Sequence, residues 1–351
     1  MNIHKALGAA WIAAGLMLPM SGAWAQDDAA ADVGGEVPEE ASGDAPAPVS
    51  LPSELMRLSP ARLLLDIVNT GAHLVAVGDR GAILVSNNGN DWAQVQAPTR
   101  STLNALAFAD SSNGWAVGHD AVILHTKDGG QTWDLQNFQP ELEKPLLDVL
   151  AIDANTAFAV GAYGLLLHTT DAGASWNEVD TPIREDELHF NAITRLGNGE
   201  LFLAGEQGKL AYSADGGATW TALESPYEGS FFGALPRGEK GVMIFGLRGN
   251  VYVSEDGRGG WTPIDLGSVA TLFGGALLPD GSPVLAGLAG NVRHIGVDGS
   301  VSRIPVLVKE TDAQGNSQLK ERTGTLSAVL PFGDRLLLVG ENGVLSVAMK
   351  Q

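Results

Sequence analysis

The chain has 351 residues, of which 41 are acidic and 21 basic, and its formal net charge is −20. Such a surface repels nucleic acid and anionic lipid headgroups at long range, so both are disfavoured as partners. The sequence contains no cysteine. This excludes disulfides and a lipid-modified cysteine, and stability must come from burial of apolar side chains.

The first 25 residues are typical of a signal peptide. Lys5 precedes an apolar stretch from Ala6 to Met20, and Ala23-Trp24-Ala25 fits a small-x-small cleavage site. The apolar stretch contains Pro19 and is shorter than the roughly 20 residues that span a bilayer. We therefore expect cleavage near Ala25, a periplasmic or secreted protein, and no direct membrane insertion.

Residues 26–48 are rich in Asp, Glu, Ala, Gly and Pro without apolar periodicity, which predicts an acidic disordered spacer. Residues 49–351 are expected to form a single domain. A chain of this size buries about three quarters of the surface that it exposes when unfolded.

A repeat dominates residues 49–351. Tryptophans recur at near-constant spacing, and so do glycines that end an apolar run. The tryptophans are Trp92, Trp133, Trp176, Trp220 and Trp261, and the glycines are Gly78, Gly118, Gly161, Gly205, Gly246, Gly287 and Gly340. Seven copies of roughly forty residues predict an all-β, seven-bladed β-propeller.

Each copy contains short β-rich runs separated by turn residues, and four such runs predict a four-stranded blade. The last copy has only three runs, ending with Val344 to Ala348. Because an open sheet edge is a liability, we expect the segment Val49 to Arg57 to pair with Val344 to Ala348. This N-terminal strand would complete the last blade and close the ring.

Two turn motifs alternate along the repeat. The second and third strands are joined by Gly-x-x-Gly, as in Gly78 to Gly81, where glycine supplies the positive φ of a tight hairpin. The third and fourth strands are joined by Ser/Thr-x-Asp-x-Gly-x-Ser/Thr-Trp. This motif is complete at residues 126–133, 169–176 and 213–220, and degraded at 254–261. Its aspartates can accept hydrogen bonds from their own turn, and its tryptophans can pack between blades. These structural residues are Asp128, Trp133, Asp171, Trp176, Asp215, Trp220, Asp256 and Trp261.

These turns are Asp-boxes, and from about Leu55 to Gln351 the chain resembles the BNR/Asp-box repeat propellers, in particular the photosystem II stability/assembly factor-like family. The resemblance implies assembly or accessory work without catalysis. Members outside photosynthetic organisms are exported and often linked with RND-superfamily transporters, which makes an RND-type transporter an expected partner. In a photosynthetic host the same resemblance implies a photosystem II assembly factor.

Partner binding is expected on the face that carries the Gly-x-x-Gly hairpins. The hairpin tips differ in chemistry although the scaffold repeats. A functional surface and neutral drift of loop residues explain this variation about equally well. The candidate partner-binding residues are Arg80, His119, Tyr163, Glu206, Arg248 and Glu341. The hydrophilic insertion Lys309 to Arg322 is expected to extend this surface. A polar collar at the channel mouth is also predicted, from Asp66, Asn104, Asp148, Asn191 and Ser327, and side chains that satisfy neighbouring backbone groups explain it better than a site.

Catalysis and metal binding are weaker alternatives. Asp66 and Asp148 are a conceivable carboxylate pair for glycoside hydrolysis, but Ser302-Arg-Ile-Pro305, the nearest match to the sialidase Phe/Tyr-Arg-Ile-Pro motif, stands after the last box with serine for the aromatic residue. His125 and His168 occupy equivalent strand positions and are interpreted as core residues. We expect no catalytic residue, metal or cofactor. The sequence predicts a monomeric propeller that binds a membrane or exported protein complex, and a sialidase-like or lectin-like carbohydrate-active propeller is the alternative.

Overall fold

The computed structural model describes residues 48–56, 59–181, 184, 187–311 and 317–349. The predicted signal peptide and almost all of the predicted spacer lie outside these residues. The described residues contain short 3₁₀ turns and strands but no α-helix. None of their helical segments has the length and apolar character that crossing a membrane requires.

Seven of the eight antiparallel sheets in the described residues are the blades of a propeller, so the predicted fold class is confirmed. Six blades have four strands in sequence order. Their strands are β1 (Leu64–Asn69), β2 (Leu74–Gly78), β3 (Ala82–Ser86) and β4 (Ala93–Val95); β5 (Leu103–Phe108), β6 (Gly114–Gly118), β7 (Ile123–Thr126) and β8 (Asp134–Asn137); β9 (Leu146–Ala151), β10 (Ala157–Gly161), β11 (Leu166–Thr169) and β12 (Asn177–Glu178); β13 (Phe190–Arg195), β14 (Leu201–Gly205), β15 (Leu210–Ser213) and β16 (Thr221–Leu223); β17 (Phe231–Arg237), β18 (Gly241–Gly246), β19 (Val251–Ser254) and β20 (Thr262–Pro263); and β21 (Leu272–Leu277), β22 (Pro283–Gly287), β23 (Val292–Ile295) and β24 (Val301–Arg303).

The remaining strands belong to the insertion and to the seventh blade. They are β25 (Leu307–Thr311) and β26 (Ser317–Glu321), which pair as a hairpin, and β27 (Leu326–Phe332), β28 (Arg335–Gly340) and β29 (Gly343–Ala348). The predicted insertion is therefore largely a β-hairpin, and β25 packs against β29 without pairing with it.

The hydrophobic core lies between blades. The second strand of blades 1 to 6 is buried along its whole length, as in Leu74–Gly78, because it is covered by a blade on either side. In blade 7 every residue of the second strand except Arg335 is buried. Apolar side chains form seven clusters, and each cluster draws on two adjacent blades. The closing cluster joins Leu64 and Leu74 of blade 1 to Leu337 and Val339 of blade 7.

The first glycine of each hairpin is required by space and not by φ, which corrects the interpretation of the motif. Gly78 has φ −178°, an extended conformation open to any residue. A Cβ atom there would collide with the carbonyl oxygen of Leu63, which precedes the inner strand of the same blade. The next N–H, that of Asp79, donates to this oxygen over 3.1 Å. Both features recur in all seven blades.

The second glycine has a positive φ and meets the connector of the following blade. Gly81 has φ 67°, and a Cβ atom there would collide with the Thr99 carbonyl oxygen. In the seventh blade the equivalent Gly343 meets the Pro60 carbonyl oxygen at the entrance to blade 1. The ring is therefore closed by a contact of the same kind as those that Gly208, Gly249 and Gly290 make with carbonyl oxygens of the connectors that follow them.

The predicted closure by an N-terminal strand is wrong for the described residues. Residues 48–56 form no strand, and none of them pairs with β29. They run antiparallel to residues 94–100 of blade 1, where Ser53 donates to and accepts from the backbone of Ala97 at 2.8 and 2.9 Å. This segment also accepts hydrogen bonds from Gln94 and Arg100. Blade 1 provides the hydrogen-bond partners of this segment. The ring does not depend on an N-terminal strand for closure, because blade 1 packs directly on blade 7.

A β-bulge near the start of every inner strand separates the predicted collar into two rings. The pairing of inner and second strands skips one residue in each of the seven blades. The skipped residues are Leu65, Asn104, Leu147, Asn191, Phe232, Phe273 and Ser327. Asp66 and Asp148 follow the bulge and therefore belong to a different ring from Asn104, Asn191 and Ser327. A single-residue bulge reverses the faces of the side chains, and sequence alignment alone does not reveal it.

The collar side chains link consecutive blades. Asp66 accepts from the Leu106 N–H of blade 2 at 2.9 Å, and Asp148 accepts from the Ile193 N–H of blade 4 at 2.8 Å. Asn104 donates to the Leu146 carbonyl of blade 3, and Asn191 donates to the Phe231 carbonyl of blade 5. Burial raises the pKa of Asp66 and of Asp148 to about 7, although the backbone N–H groups that donate to these two carboxylates lower it.

Substitution of Ser53 tests the position of the N-terminal segment. In Ser53→Ala the buried Ala97 N–H loses its acceptor, which is expected to lower stability by about 1–3 kcal/mol. This corresponds to a loss of about 2–4 °C in melting temperature per kcal/mol. Ser50→Ala, which removes only one partly buried hydrogen bond to Pro98, is the control and should have a smaller effect. Equal melting curves for both variants and the wild type would contradict this position of the segment.

Substitution of Asp148 tests the collar through its pH dependence. A folded-state pKa of about 7 lies above the unfolded value, so the native state holds the proton more tightly and loses stability as pH rises from about 4 to 7. Asp148→Asn removes this pH-dependent loss of stability, and it also removes one hydrogen bond. Relative to wild type, the variant should gain about 1–3 kcal/mol between pH 5 and pH 8, read from melting temperatures. A difference that does not change with pH would show that Asp148 has an ordinary pKa.

Candidate partner-binding face

We use the term hairpin face for the end of the propeller that carries the turns between second and third strands and the connectors between blades. Inner strands start here, since Leu64 pairs with Gly78. The Asp-boxes follow the third strands, which end at the opposite side, the Asp-box face. The six short turns of the hairpin face are Asp79–Gly81, His119–Ala121, Ala162–Gly164, Glu206–Gly208, Leu247–Gly249 and Leu288–Gly290.

The middle residue of each of these turns is a side chain held in the left-handed region. Its φ lies between 50° and 60° in every case, a conformation that bulky residues rarely adopt. These residues are Arg80, Asp120, Tyr163, Gln207, Arg248 and Ala289. Arg80, Tyr163 and Arg248 are exposed, with 66% of the Arg80 side chain accessible. Three of the predicted partner-binding residues thus occupy the same outward position in blades 1, 3 and 5.

The other three predicted residues stand one position earlier, and the side chains of two of them contact their own blade. The Glu341 carboxylate accepts from the Thr325 N–H at 3.1 Å, and hydrogen bonds from the Thr325 side chain and backbone lower the pKa of Glu341. Glu206 likewise accepts from the His189 N–H at 3.2 Å. The His119 side chain is exposed. The repeat alone did not distinguish the two positions, because only the structure shows which one faces the connector.

One cluster joins two predicted residues across a blade boundary. The Tyr163 ring packs edge-on against the His189 ring, with centroids 5.0 Å apart, and the Tyr163 N–H donates to His189 Nδ1 at 3.3 Å. His189 Nδ1 lies 3.4 Å from the Glu206 carboxylate. His189 belongs to the connector before blade 4, where no repeated motif marks it. The structure does not bring Arg80 and Arg248 into this cluster.

Aromatic residues of the connector before blade 5 pack largely into the protein. Phe231 is fully buried in the core between blades 4 and 5. Tyr227 packs against Phe231 and Tyr252, with ring centroids 6.1 and 6.5 Å apart. Phe232, the bulge residue, is half-buried, and its ring lies 5.3 Å from that of Phe273 in blade 6.

The Asp-box face is built from internal hydrogen bonds. Asp128 accepts from the Gln131 and Thr132 N–H groups and from the Thr132 hydroxyl, the last at 2.6 Å. Asp171 and Asp215 likewise accept from the N–H and the hydroxyl of Ser175 and Thr219, and these hydrogen bonds lower their pKa values to about 2. In the degraded box, Asp256 accepts only from its own turn residues Ser254, Arg258 and Gly259. Trp133 and Trp220 are buried between blades, whereas Trp176 and Trp261 are half-buried.

The residues considered for catalysis and metal binding have structural contacts. Asp66 and Asp148 each bridge two blades through backbone N–H groups. The His125 ring stacks on Trp115 at 4.6 Å and the His168 ring stacks on Phe158 at 4.1 Å, and burial lowers both histidine pKa values. Within the described residues no group of three or more His, Asp or Glu side chains is arranged to hold a metal ion.

Known proteins resemble this chain over short stretches of sequence and over the whole propeller. It is 44% identical over 45 residues to the photosystem II assembly protein Ycf48 of Thermosynechococcus vestitus, a match that covers 13% of each chain. It is 36% identical over 85 residues to the chloroplastic photosystem II stability/assembly factor HCF136 of Cyanidioschyzon merolae, covering 22% of this chain and 20% of that one. The chain thus matches a fifth or less of the length of these curated relatives.

The solved structure described as YCF48 bound to D1 peptide superimposes with a TM-score of 0.61 over 88% of this chain and all of that chain. Its sequence identity of 18% makes this a likeness of fold. The family model for the photosynthesis system II assembly factor YCF48 matches residues 77–291. This match runs from the end of β2 in blade 1 to the turn before β23 in blade 6 and covers more than half of the chain, so the protein belongs to the family of the photosynthesis system II assembly factor YCF48.

Proposed function

We propose that the protein is a non-catalytic assembly factor that binds a segment of a membrane protein through its hairpin face. The observation that carries this proposal is membership of the YCF48 family. One structural neighbour is described as bound to a D1 peptide, which supports a peptide segment as the ligand class. Between the two partner classes expected from the sequence, the comparisons favour a photosystem II protein, and nothing in them supports an RND-type transporter.

The hairpin face suits this role because its tips vary while their backbone is fixed. Arg80, Tyr163 and Arg248 adopt the left-handed conformation, which costs about 1–2 kcal/mol per residue. Because the same conformation recurs at this position in all six short turns, the three side chains are held in equivalent outward positions. Two guanidinium groups and a phenol, presented on a rigid ring, can bind carboxylates and backbone carbonyls of an extended segment. We further propose export after cleavage near Ala25, which would bring this face to membrane proteins outside the cytoplasm.

The carbohydrate-active alternative receives less support. Both candidate carboxylates are held by two backbone N–H groups, with neighbours in the adjacent blade at 2.8 to 2.9 Å. A hydrolytic pair requires carboxyl groups that are free to exchange protons with substrate or water. The Ser302 to Pro305 segment lies at the end of β24, and Arg303 pairs there with Glu321.

Affinity purification from native membranes tests the function. The triple variant Arg80→Ala, Tyr163→Ala, Arg248→Ala is expected to recover about tenfold less of a membrane protein complex than the wild type, since the loss of tip contacts amounts to at least about 1.4 kcal/mol. Lys127→Ala, Lys240→Ala is the matched control, because both lysines are exposed on the Asp-box face. All variants must retain the wild-type melting temperature.

Mass spectrometry of the recovered complex then separates the partner classes. Recovery of a photosystem II protein would support the proposed partner class. Recovery of an RND-type transporter would instead support the partner class that the comparisons do not favour. Recovery of one complex by wild type and triple variant alike would reject the hairpin face as the binding surface. No complex with any of the proteins would reject the assembly role.

A further inference from the structure

The seventh blade is one strand short among the described residues. Its sheet contains β27, β28 and β29, whereas the other six blades continue to a fourth strand. β29 pairs with β28 on one side, and no described strand pairs with its other side. An edge of this kind exposes backbone N–H and C=O groups that can pair with another chain.

A groove of about 440 Å³ lies beside this edge, a size typical of ligand pockets, which hold roughly 300–1,000 Å³. Its walls are His294 of blade 6, Ile304 just after β24, Leu319 of the insertion hairpin, and Val347 and Met349 of blade 7. Leu319 is 67% exposed although it is a large apolar residue. The groove is therefore an apolar cleft bounded by a free strand.

The other blades show what belongs at this place. In blade 2, Trp133 of the Asp-box packs against blade 1 in a cluster with Val75, Val85 and Val95. Val85 pairs with Val75, the second residue of β2. His294 pairs with Val284, the second residue of β22, and so stands in blade 6 where Val85 stands in blade 1.

The outer wall of the groove, at Ile304, also has a counterpart in blade 1. Val95 of β4 pairs with Ile83 of the third strand, and the Ile304 N–H donates to the Val292 carbonyl at the corresponding place in blade 6. Trp220 likewise packs on Phe158 of the preceding blade. The groove between blades 6 and 7 thus corresponds to the socket that an Asp-box tryptophan fills elsewhere in the ring.

We propose that a segment of the membrane-protein partner completes the seventh blade. The segment adds to β29 as an antiparallel fourth strand and inserts a large apolar side chain, preferably aromatic, into the groove. Backbone pairing supplies affinity and the socket supplies specificity, as in other cases of strand addition to a sheet edge. This inference rests on the proposed function and assigns it a second contact surface, apart from the hairpin face.

The segment between the expected cleavage site and blade 1 fits the groove less well. Residues 26–47 contain no aromatic residue, leucine, isoleucine or methionine, and seven of them are Asp or Glu. Residues 48–56 are bound along blade 1. A second copy would present β29, whose sequence Gly-Val-Leu-Ser-Val-Ala has no aromatic side chain for the socket. A partner segment with an aromatic residue next to a short strand meets both requirements.

A peptide taken from blade 4 provides a direct probe. The peptide Ser213–Leu223 contains a complete Asp-box, Trp220 and the whole of β16. We expect it to bind the full chain in calorimetry, and its Trp220→Ala form to bind about tenfold more weakly or not at all. Leu319→Glu in the protein should weaken binding of the parent peptide about tenfold, since it places a charge in the groove.

Val297→Glu is the matched control. Val297 is 80% exposed in blade 6 and does not line the groove, so this variant should bind the peptide like the wild type. Absence of binding by the wild type, or equal binding by the wild type and Leu319→Glu, would overturn the inference. Both variants change exposed residues, and unchanged melting curves will verify their folding.

Crosslinking in native membranes separates this inference from the proposed function. A photoreactive residue at position 319 should crosslink to the partner recovered by affinity purification, and the Ser213–Leu223 peptide should compete. If the partner is recovered but crosslinks only from position 163, the groove is not its contact and the proposed function stands. Crosslinks from 319 to residues 26–47 of the same chain, or to a second copy, would overturn the inference. If no partner is recovered, the proposed function fails, while peptide binding still reports on the groove.

Discussion

The propeller depends on one close contact that is repeated around the ring, between a hairpin glycine and the carbonyl oxygen that precedes the inner strand of the same blade. The N–H after this glycine donates to the same oxygen. One oxygen atom therefore sets how closely the hairpin approaches the start of the inner strand and how the hairpin backbone is oriented there. A side chain at Gly78 or Gly340 would occupy the space of that oxygen. The contact fixes where each inner strand begins, and with it the bulge, the collar and the hairpin tips.

The sequence was sufficient to predict the scaffold because the scaffold repeats. The glycine and tryptophan series predicted seven blades, four strands and the Asp-boxes. Features that occur once in the ring were beyond this reasoning. Closure at Gly343 and Pro60, the course of residues 48–56 and the His189 bridge depend on contacts between distant segments, which no local pattern encodes. The collar was misaligned because a one-residue bulge changes the face of a side chain without changing the spacing of the motif.

The candidate site was predicted in part for the same reason. The repeat located all seven hairpins, but it could not separate the first tip position, where Glu206 and Glu341 bind the connector, from the second, where Arg80, Tyr163 and Arg248 face outward. That distinction is a matter of backbone conformation, since only the second position has a positive φ. A rigid turn with one outward side chain allows chemistry to vary from blade to blade while the scaffold stays constant.

The collar also shows that the links between consecutive blades differ around the ring. Its side-chain hydrogen bonds run from blade 1 to blade 5. In blades 5 and 6 the position after the bulge, which Asp66 and Asp148 occupy in blades 1 and 3, is taken by Gly233 and Gly274, which have no side chain. Between blades 5 and 6 they give way to contact between the Phe232 and Phe273 rings. The collar hydrogen bonds thus bridge only part of the ring, and the groove beside β29 lies outside that part, between blades 6 and 7.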